Sequence, residues 1–430
     1  MRQAWALCGT ALLLAACGPP PGDPHRQIGA HPYLPPIHQY LMPPMRVPSL
    51  EPWNGATPKV APGLAIKALA TALTNPRSLY VLPNGDVLVV ESDGPNPPVT
   101  RPKEIVVQWI VKRAHNPNKA GNRILLLRDS NGDGVADMRT IFIDHLNSPF
   151  GVVLVGSDLY VADTDAVMRY PYRAGETRIT DPGTKLTDLP AGPINHHWTK
   201  SLTASPDGSK LYAGVGSNSN ITENGIGAEL GRAMVWEINR ATGAHREFAT
   251  GLRNPNGLTF QPGTNNLWTV VNERDELGPD LVPDYLTSVK DGAFYGWPYS
   301  YYGNHVDPRV MPQRPDLVAK AIAPDYALSS HVAALGLVFN TGTALPAQYR
   351  GGAFVGEHGS WNRQELNGYK VIYVPFAGGQ PSGMAQDVVT GFLDGDKARG
   401  RPVGLALDSK GALLIADDVG NTIWRVTAAP

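Results

Sequence analysis

From residue 63 onward the apolar and polar positions repeat one unit: an apolar strand, a turn, and a second apolar strand. The unit first appears as Ser78-Leu79-Tyr80-Val81 and Val87-Leu88-Val89-Val90, joined through Pro83-Asn84-Gly85. It returns from Gly151, Ser201, Gly257, Gly336 and Gly404, and the last copy is followed by a third run, Thr422-Ile423-Trp424-Arg425-Val426. Asn-Gly, Asp-Gly and Lys-Gly tips suit hairpins, because glycine accepts the positive φ that tight turns need. Six strand pairs, spaced more widely than common short repeats, predict an all-β, six-bladed β-propeller with four-stranded antiparallel blades around a central channel. A radial array hides sheet edges and lets repeats bury one another's faces; an irregular β-sandwich is the competing arrangement. A strand near Leu64 to Leu69 is placed to close the ring against the C-terminal repeat.

The stretch before residue 63 has a different character. Residues 1–16 carry Arg2 and an apolar run, Ala11 to Ala16, which reads as a secretory signal. Leu14-Ala15-Ala16-Cys17 resembles the lipobox of bacterial lipoproteins. That implies cleavage before Cys17, acylation of its thiol and tethering to a membrane, with the periplasmic side of the outer membrane as the expected address. Residues 17–62 are crowded with proline and are expected to form an extended tether that packs on the domain through Tyr33, Tyr40 and Trp53 and carries no chemistry. Residues 63–430 form the propeller domain. The other cysteine, Cys8, leaves with the signal, so no disulfide is expected. With 42% hydrophobic residues in 430 and a net charge of -1, the chain has ample material for a core and no electrostatic reason to bind nucleic acid.

In a propeller, residues just upstream of the innermost strands meet at the central mouth. Those positions hold Asn195-His196-His197-Trp198-Thr199-Lys200, Arg253-Asn254 and Arg399-Gly400-Arg401-Pro402. Together they describe a cationic pocket with a titratable base. Taken singly, Arg253 reads as a surface ion-pair residue and a lone histidine as a packed core group. A second feature is Asp129-Ser130-Asn131-Gly132-Asp133-Gly134-Val135-Ala136-Asp137, with Asp129, Asn131, Asp133 and Asp137 at alternate positions. Such spacing resembles half of an EF-hand-type loop, and equally an Asp/Asn/Gly-rich hairpin tip, since Thr140 stands where an acidic twelfth ligand belongs. Asp163-Thr164-Asp165 and Asp417-Asp418 follow strands and read as routine surface turns.

Asn195 to Trp198 with Ser205-Pro206-Asp207-Gly208, Leu252 to Phe260, Tyr295-Gly296-Trp297-Pro298 and Arg399-Gly400-Arg401 occur in the order and spacing of a known group. They resemble the pyrroloquinoline-quinone-dependent sugar dehydrogenases, the soluble glucose, aldose and sorbosone dehydrogenase group, over nearly all of residues 63–430. Asn272-Glu273-Arg274-Asp275 and Glu357 to Arg363 look most like the sorbosone branch. The resemblance implies that His197, with His196 as competitor, takes the proton of the substrate hydroxyl as hydride moves to the quinone. It also implies that Arg253, Asn254, Arg399 and Arg401 hold the cofactor, with Arg363 in place of a lysine used by some members. Calcium would sit against the quinone on the backbone carbonyls of Glu273 and Arg274, where soluble glucose members have Gly-Pro. The implied activity is oxidation of the C1 hydroxyl of an aldose, or of the hydrated aldehyde of a sorbosone-like sugar, with a further quinone or a cytochrome as electron acceptor. The alternatives are a non-catalytic sugar- or protein-binding propeller and a calcium-dependent lactonase-type hydrolase.

Overall fold

The computed structural model describes residues 24–40, 44–96, 98, 101, 105, 109 and 119–430. The signal segment, Cys17 and the first residues of the tether lie outside them. The chain is all-β: six large antiparallel sheets, four of four strands and two of five, are found among the described residues. The first sheet runs Pro76–Val81, Val87–Glu91, Arg123–Arg128 and Met138–Ile143, and the second Gly151–Val155, Asp158–Ala162, Ala166–Pro171 and Thr184–Asp188. Lys200–Ala204, Lys210–Val215, Met234–Asn239 and His245–Thr250 make the third. The fourth is Pro255–Phe260, Leu267–Val271, Pro283–Val289 and Tyr326–Ser330, and the fifth Ala334–Phe339, Ala353–Glu357, Lys370–Val374 and Gln386–Thr390. Pro402–Leu407, Leu413–Asp417 and Thr422–Ala428 begin the sixth, which takes its outer strand, Leu64–Ala70, from the other end of the chain.

Each strand pair read from the sequence is a hairpin: Leu79 faces Val89, Leu202 faces Ala213 and Leu337 faces Val355. At the first tip Gly85 has φ +90°, a backbone setting that side chains rarely adopt. The second strands Val87–Glu91, Leu267–Val271, Ala353–Glu357 and Leu413–Asp417 are buried at every position. Both their faces are covered, so their apolar runs are unbroken rather than alternating. The period of two then divides one strand between two neighbours: Leu88 and Val90 pack with Leu159 and Val161 of the second sheet, while Val87 and Val89 pack with Leu414 and Ala416 of the sixth. Equivalent clusters join the second sheet to the third, the third to the fourth, the fourth to the fifth and the fifth to the sixth. The six sheets therefore close on themselves, and the first strands line a cavity of about 360 Å³ touched by Tyr80, Gly151, Ser201, Gly257, Gly336 and Gly404. Glycine is required where those strands nearly touch: a Cβ on Gly404 would lie 2.8 Å from the Arg77 carbonyl.

All first strands start at one face of this ring, and the antiparallel second strands end there. Register shifts fall near that face in four of the pairs, between Pro76 and Ser78, Asn256 and Thr259, Ala334 and Gly336, and Pro402 and Leu405. Such bulges re-aim the side chains beside them.

Over its described part the Pro-rich segment is laid against the ring as added strands. Ile28–Gly29 adds a fifth strand to the fourth sheet and Lys59–Val60 a fifth to the fifth sheet. Between them the backbone amides of His38, Arg46 and Ser49 donate to Leu277, Trp361 and Asp396 carbonyls at 2.9, 3.1 and 2.9 Å. Of the three aromatics expected to pack, Trp53 is buried and Tyr33 is exposed. Proline removes donors but leaves carbonyls and the neighbouring amides to pair, so an extended Pro-rich chain can be laid down along existing strand edges. No helix among the described residues is long and apolar enough to cross a membrane.

Candidate functional site

Two groups of polar side chains meet on the face where the first strands begin. The loop ahead of the third sheet brings His197 against the end of that sheet's second strand. Its Nδ1 lies 2.8 Å from the Ser217 carbonyl and 3.0 Å from the Ser217 hydroxyl. A carbonyl only accepts, so Nδ1 carries the proton and Nε2 keeps a lone pair. Burial, then the neighbouring Arg253 and His196 charges, holds this imidazole well below its ordinary value, so it is neutral at neutral pH. His196 is exposed, and its ring meets that of His197 edge-on at 5.2 Å. Asn254 reaches the same spot: a Cβ on Gly216 would run into both the Asn254 side-chain oxygen and the His197 Cβ. That oxygen is buried and has no hydrogen-bond partner among the described residues.

Arg253 is buried beneath them and turned toward the loop 272–275. Nη1 donates to the Glu273 carbonyl at 2.7 Å, and Nη2 to Asn220 Oδ1 and Asp275 Oδ2, each at 3.0 Å. Asp275 in turn accepts from Asn362 Nδ2 at 2.6 Å. Asn362 also reaches His331 Nδ1 at 3.2 Å, while His331 Nε2 donates to the Gly278 carbonyl at 3.1 Å. Both nitrogens of His331 are thus engaged, which makes it a positioning group rather than a base.

The second group lies at the fifth, sixth and first sheets. Arg401 Nε and Nη2 donate to the His358 and Gly359 carbonyls at 2.9 and 2.7 Å, and the guanidinium sits 5.2 Å over Tyr369. His358 Nε2 meets Asp418 Oδ2 at 2.9 Å, and Arg77 Nη1 donates to the same oxygen at 2.5 Å. Burial and then the Arg401 charge push the His358 imidazole down to about 3. Arg77 lies 5.8 Å from the Trp198 ring, which connects this group to the histidine loop. Asp417 and Asp418 are both buried, and the surface-turn reading does not hold for them. They have opposite surroundings. Asp417 is pushed up to about 7 by burial with only neutral donors around it, whereas His358, Arg77 and Arg401 hold Asp418 far below the ordinary carboxylate range.

The structure therefore brings His197, Arg253, Asn254 and Arg401 to one face. Arg399 points elsewhere, pairing with Glu51 at 3.0 Å and Asp394 at 3.4 Å on the partly exposed rim. Arg363 is buried in the fifth sheet's loop, bound to Asp280 at 3.1 Å. Arg274 is fully enclosed by Glu273, Asp307 and the Pro298 carbonyl, at 2.9, 3.1 and 2.8 Å. The Glu273 carbonyl, offered to calcium by the resemblance, accepts a hydrogen bond from Arg253 Nη1. In the loop 129–137 the side-chain oxygens face their own backbone: Asp129 accepts from Gly132 and Gly134 at 2.8 Å, Asn131 from Asp133 at 2.9 Å, and Asp137 from Ser130 at 3.1 Å. Lys410 Nζ donates to the Gly132 carbonyl at 3.1 Å and Lys67 Nζ to that of Asp133. This is the hydrogen-bonding of a hairpin tip, with lysines at its carbonyls. Among the described residues no group of three or more His, Cys, Asp or Glu is set to hold a metal. Sequence reasoning passed over Arg77 and Ser217, gave Asp275 no role beyond its motif, and read Asp418 as a surface turn. Arg77 had a visible signal, because it precedes the first repeat as Arg253 precedes the fourth.

The family described as TrAA12-like matches residues 117–283 and 316–429. A protein of Borreliella burgdorferi described as uncharacterized is 28% identical over 296 residues, 65% of this chain and 76% of the relative. The holo PQQ domain of pyranose dehydrogenase from Coprinopsis cinerea superposes with a TM-score of 0.70 at 20% identity, covering 89% of this chain and 99% of that one. A calcium structure of a family AA12 enzyme from Trichoderma reesei gives the same values. PQQ-bound aldose sugar dehydrogenase from Streptomyces coelicolor superposes with a TM-score of 0.55 at 15% identity, over 87% and 100% of the two chains. With its matched segments covering both halves of the ring, the chain belongs to the TrAA12-like family.

Proposed function

We propose that the chain is a sugar oxidoreductase built as a six-bladed propeller, oxidising the C1 hydroxyl of an aldose, or the hydrated aldehyde of a sorbosone-like sugar. Family membership and the superposed sugar dehydrogenases support the class of reaction. The observation that carries the reading is His197: its proton is fixed on Nδ1 by the Ser217 carbonyl, its Nε2 lone pair is available, and Arg253 and Asn254 stand beside it. When bound, pyrroloquinoline quinone supplies the two-electron acceptor for hydride, and calcium polarises the accepting carbonyl.

The residues fit such a group in part. The buried Asn254 Oδ1 and Arg77 Nε have no hydrogen-bond partners among the described residues, and Arg401 brings a further cation to the same face. Those unmet groups suit a polyanionic quinone and its cation. In this reading His197 Nε2 receives the substrate hydroxyl proton, Arg401 and Arg77 hold carboxylates, and Asp275 orients Arg253. His358, whose Nε2 is tied to Asp418, is the second imidazole in reach. A quinone or cytochrome then removes the electrons. Export and lipid attachment at Cys17 belong to the same proposal and rest on the lipobox; palmitate labelling abolished by Cys17→Ser is the expected result.

The test is reconstitution. The apo-protein with pyrroloquinoline quinone and calcium should reduce a redox dye when given aldoses, and should do nothing with either omitted. Hydrolysis of lactones without quinone would make it a lactonase instead, and sugar binding without dye reduction would make it a binding propeller.

A further inference from the structure

The N-terminal segment takes hold of the ring at two places, one at the loop of Arg363 and one at the Asp417 carboxylate. Gln27, which is buried, accepts from the Ser330 amide and hydroxyl at 3.3 and 2.5 Å and donates to the Asp280 carbonyl. Asp280 and the Ser330 carbonyl are also the partners of Arg363. The second hold is tighter. The Asp417 carboxylate has four donors: Trp53 Nε1 at 2.8 Å and Trp424 Nε1 at 3.1 Å on one oxygen, the Arg401 and Gly420 amides at 2.8 Å on the other. Trp53 alone of these comes from outside the sixth sheet and its loops. Its ring packs edge-on against Trp424 at 5.2 Å and Phe392 at 5.7 Å. The surroundings leave no slack: a Cβ on Gly400 or on Gly420 would run into the Asp417 carboxylate. Arg401 immediately precedes its strand, beside a register shift, where the regular ladder does not determine the backbone. Its amide depends on Asp417 instead.

We propose that the N-terminal segment is a working part of the site: Trp53 fixes the Asp417 carboxylate, and Asp417 fixes the backbone from which the Arg401 guanidinium reaches the cofactor. Trp53 is a positioning residue. The device rests on the reading of Arg401 as a cofactor ligand, and it gives the segment a role beyond that of a tether. A buried carboxylate with a missing donor turns toward another, and the displaced oxygen is the one that shares its group with the Arg401 amide bond.

Trp53→Phe in the full chain keeps the aromatic packing and removes the N–H. Two quantities are read: hydrogen exchange of the Arg401 amide without cofactor, and the affinity for pyrroloquinoline quinone by titration. The expected result is at least tenfold faster exchange at Arg401 with exchange in Val87–Glu91 unchanged, and about tenfold weaker quinone binding with little change in kcat. Unchanged exchange overturns the link from Trp53 to Arg401. Faster exchange with unchanged affinity overturns its role in binding. A wild-type chain that takes up no quinone overturns the cofactor reading, while the exchange rates still decide the link. Should Trp53→Phe fail to fold, Asp417→Asn carries the same two measurements from the sheet side.

Discussion

Replacing His197 by Asn removes the imidazole lone pair. The loop's own contacts remain, because the Thr164 hydroxyl still donates to the Trp198 carbonyl at 2.9 Å and the Asn195 amide still donates to Thr164 at 2.7 Å. A positioned general base contributes about 10² to 10⁴ in rate, so kcat should fall by that factor, about 3 to 5 kcal/mol in the barrier. Quinone affinity should stay within about threefold, since the expected cofactor contacts come from Arg253, Asn254, Arg401 and Arg77. The pH profile adds an independent check. Burial and the Arg253 charge hold His197 well below its ordinary 6.5, so the base is already free at that pH and the acid limb of kcat/KM must lie lower. Arg253→Gln removes one of the groups holding the pKa down, so the limb should move to higher pH as kcat/KM falls. Dye-linked assays of the reconstituted protein from pH 4 to 8 read both. A variant that keeps more than a tenth of the wild-type kcat, or a wild-type limb at or above 6.5, refutes the assignment of His197 and turns attention to His358.

Asp275→Asn takes away the charged acceptor of Arg253 Nη2 while leaving the Glu273 carbonyl; a loss of about 1.5 to 3 kcal/mol in stability by urea titration and roughly tenfold weaker quinone binding are expected. Arg399→Ala should change quinone affinity by less than about threefold, because its partners are the rim carboxylates of Glu51 and Asp394; a larger loss in titration would return it to the site. Glu357 is buried, with one carboxylate oxygen unpartnered, and burial pushes it up from 4.5 to about 8. The folded chain keeps that proton where the unfolded chain has lost it, so its contribution falls as pH rises from about 4.5 to 8. Glu357→Gln should therefore gain on the wild type across this window, by a few kcal/mol at most, and a pH-independent difference in urea unfolding would contradict the reasoning. If the loop at 129–137 is only a hairpin tip, Asp129→Ala should lower stability by about 1 kcal/mol, equally with calcium or with chelator.

How much of this was legible along the chain follows from distance. Strand pairs such as Ser78 to Val81 with Val87 to Val90 are local, and their apolar runs and glycine turns carry the whole instruction, so the all-β repeat and even the closing strand at Leu64 were readable. His197, Arg253, Asn254 and Arg401 could be located because a repeat tells which loops share a face. What a side chain does on that face is settled by partners tens or hundreds of residues away. Arg399 and Arg401 are two residues apart, yet one pairs with Glu51 on the rim and the other lies buried over Tyr369. Asp417 and Asp418 are adjacent and are driven in opposite directions, Asp417 upward by burial without a cation beside it and Asp418 downward by the cations around it. The Pro-rich segment shows no periodicity of its own, and only the folded ring supplies the strand edges and the carboxylate that bind it. Composition and period determine the sheets, because backbone pairing and apolar burial are repetitive; charge pairing at the site is specific to each partner, and only the tertiary structure chooses it.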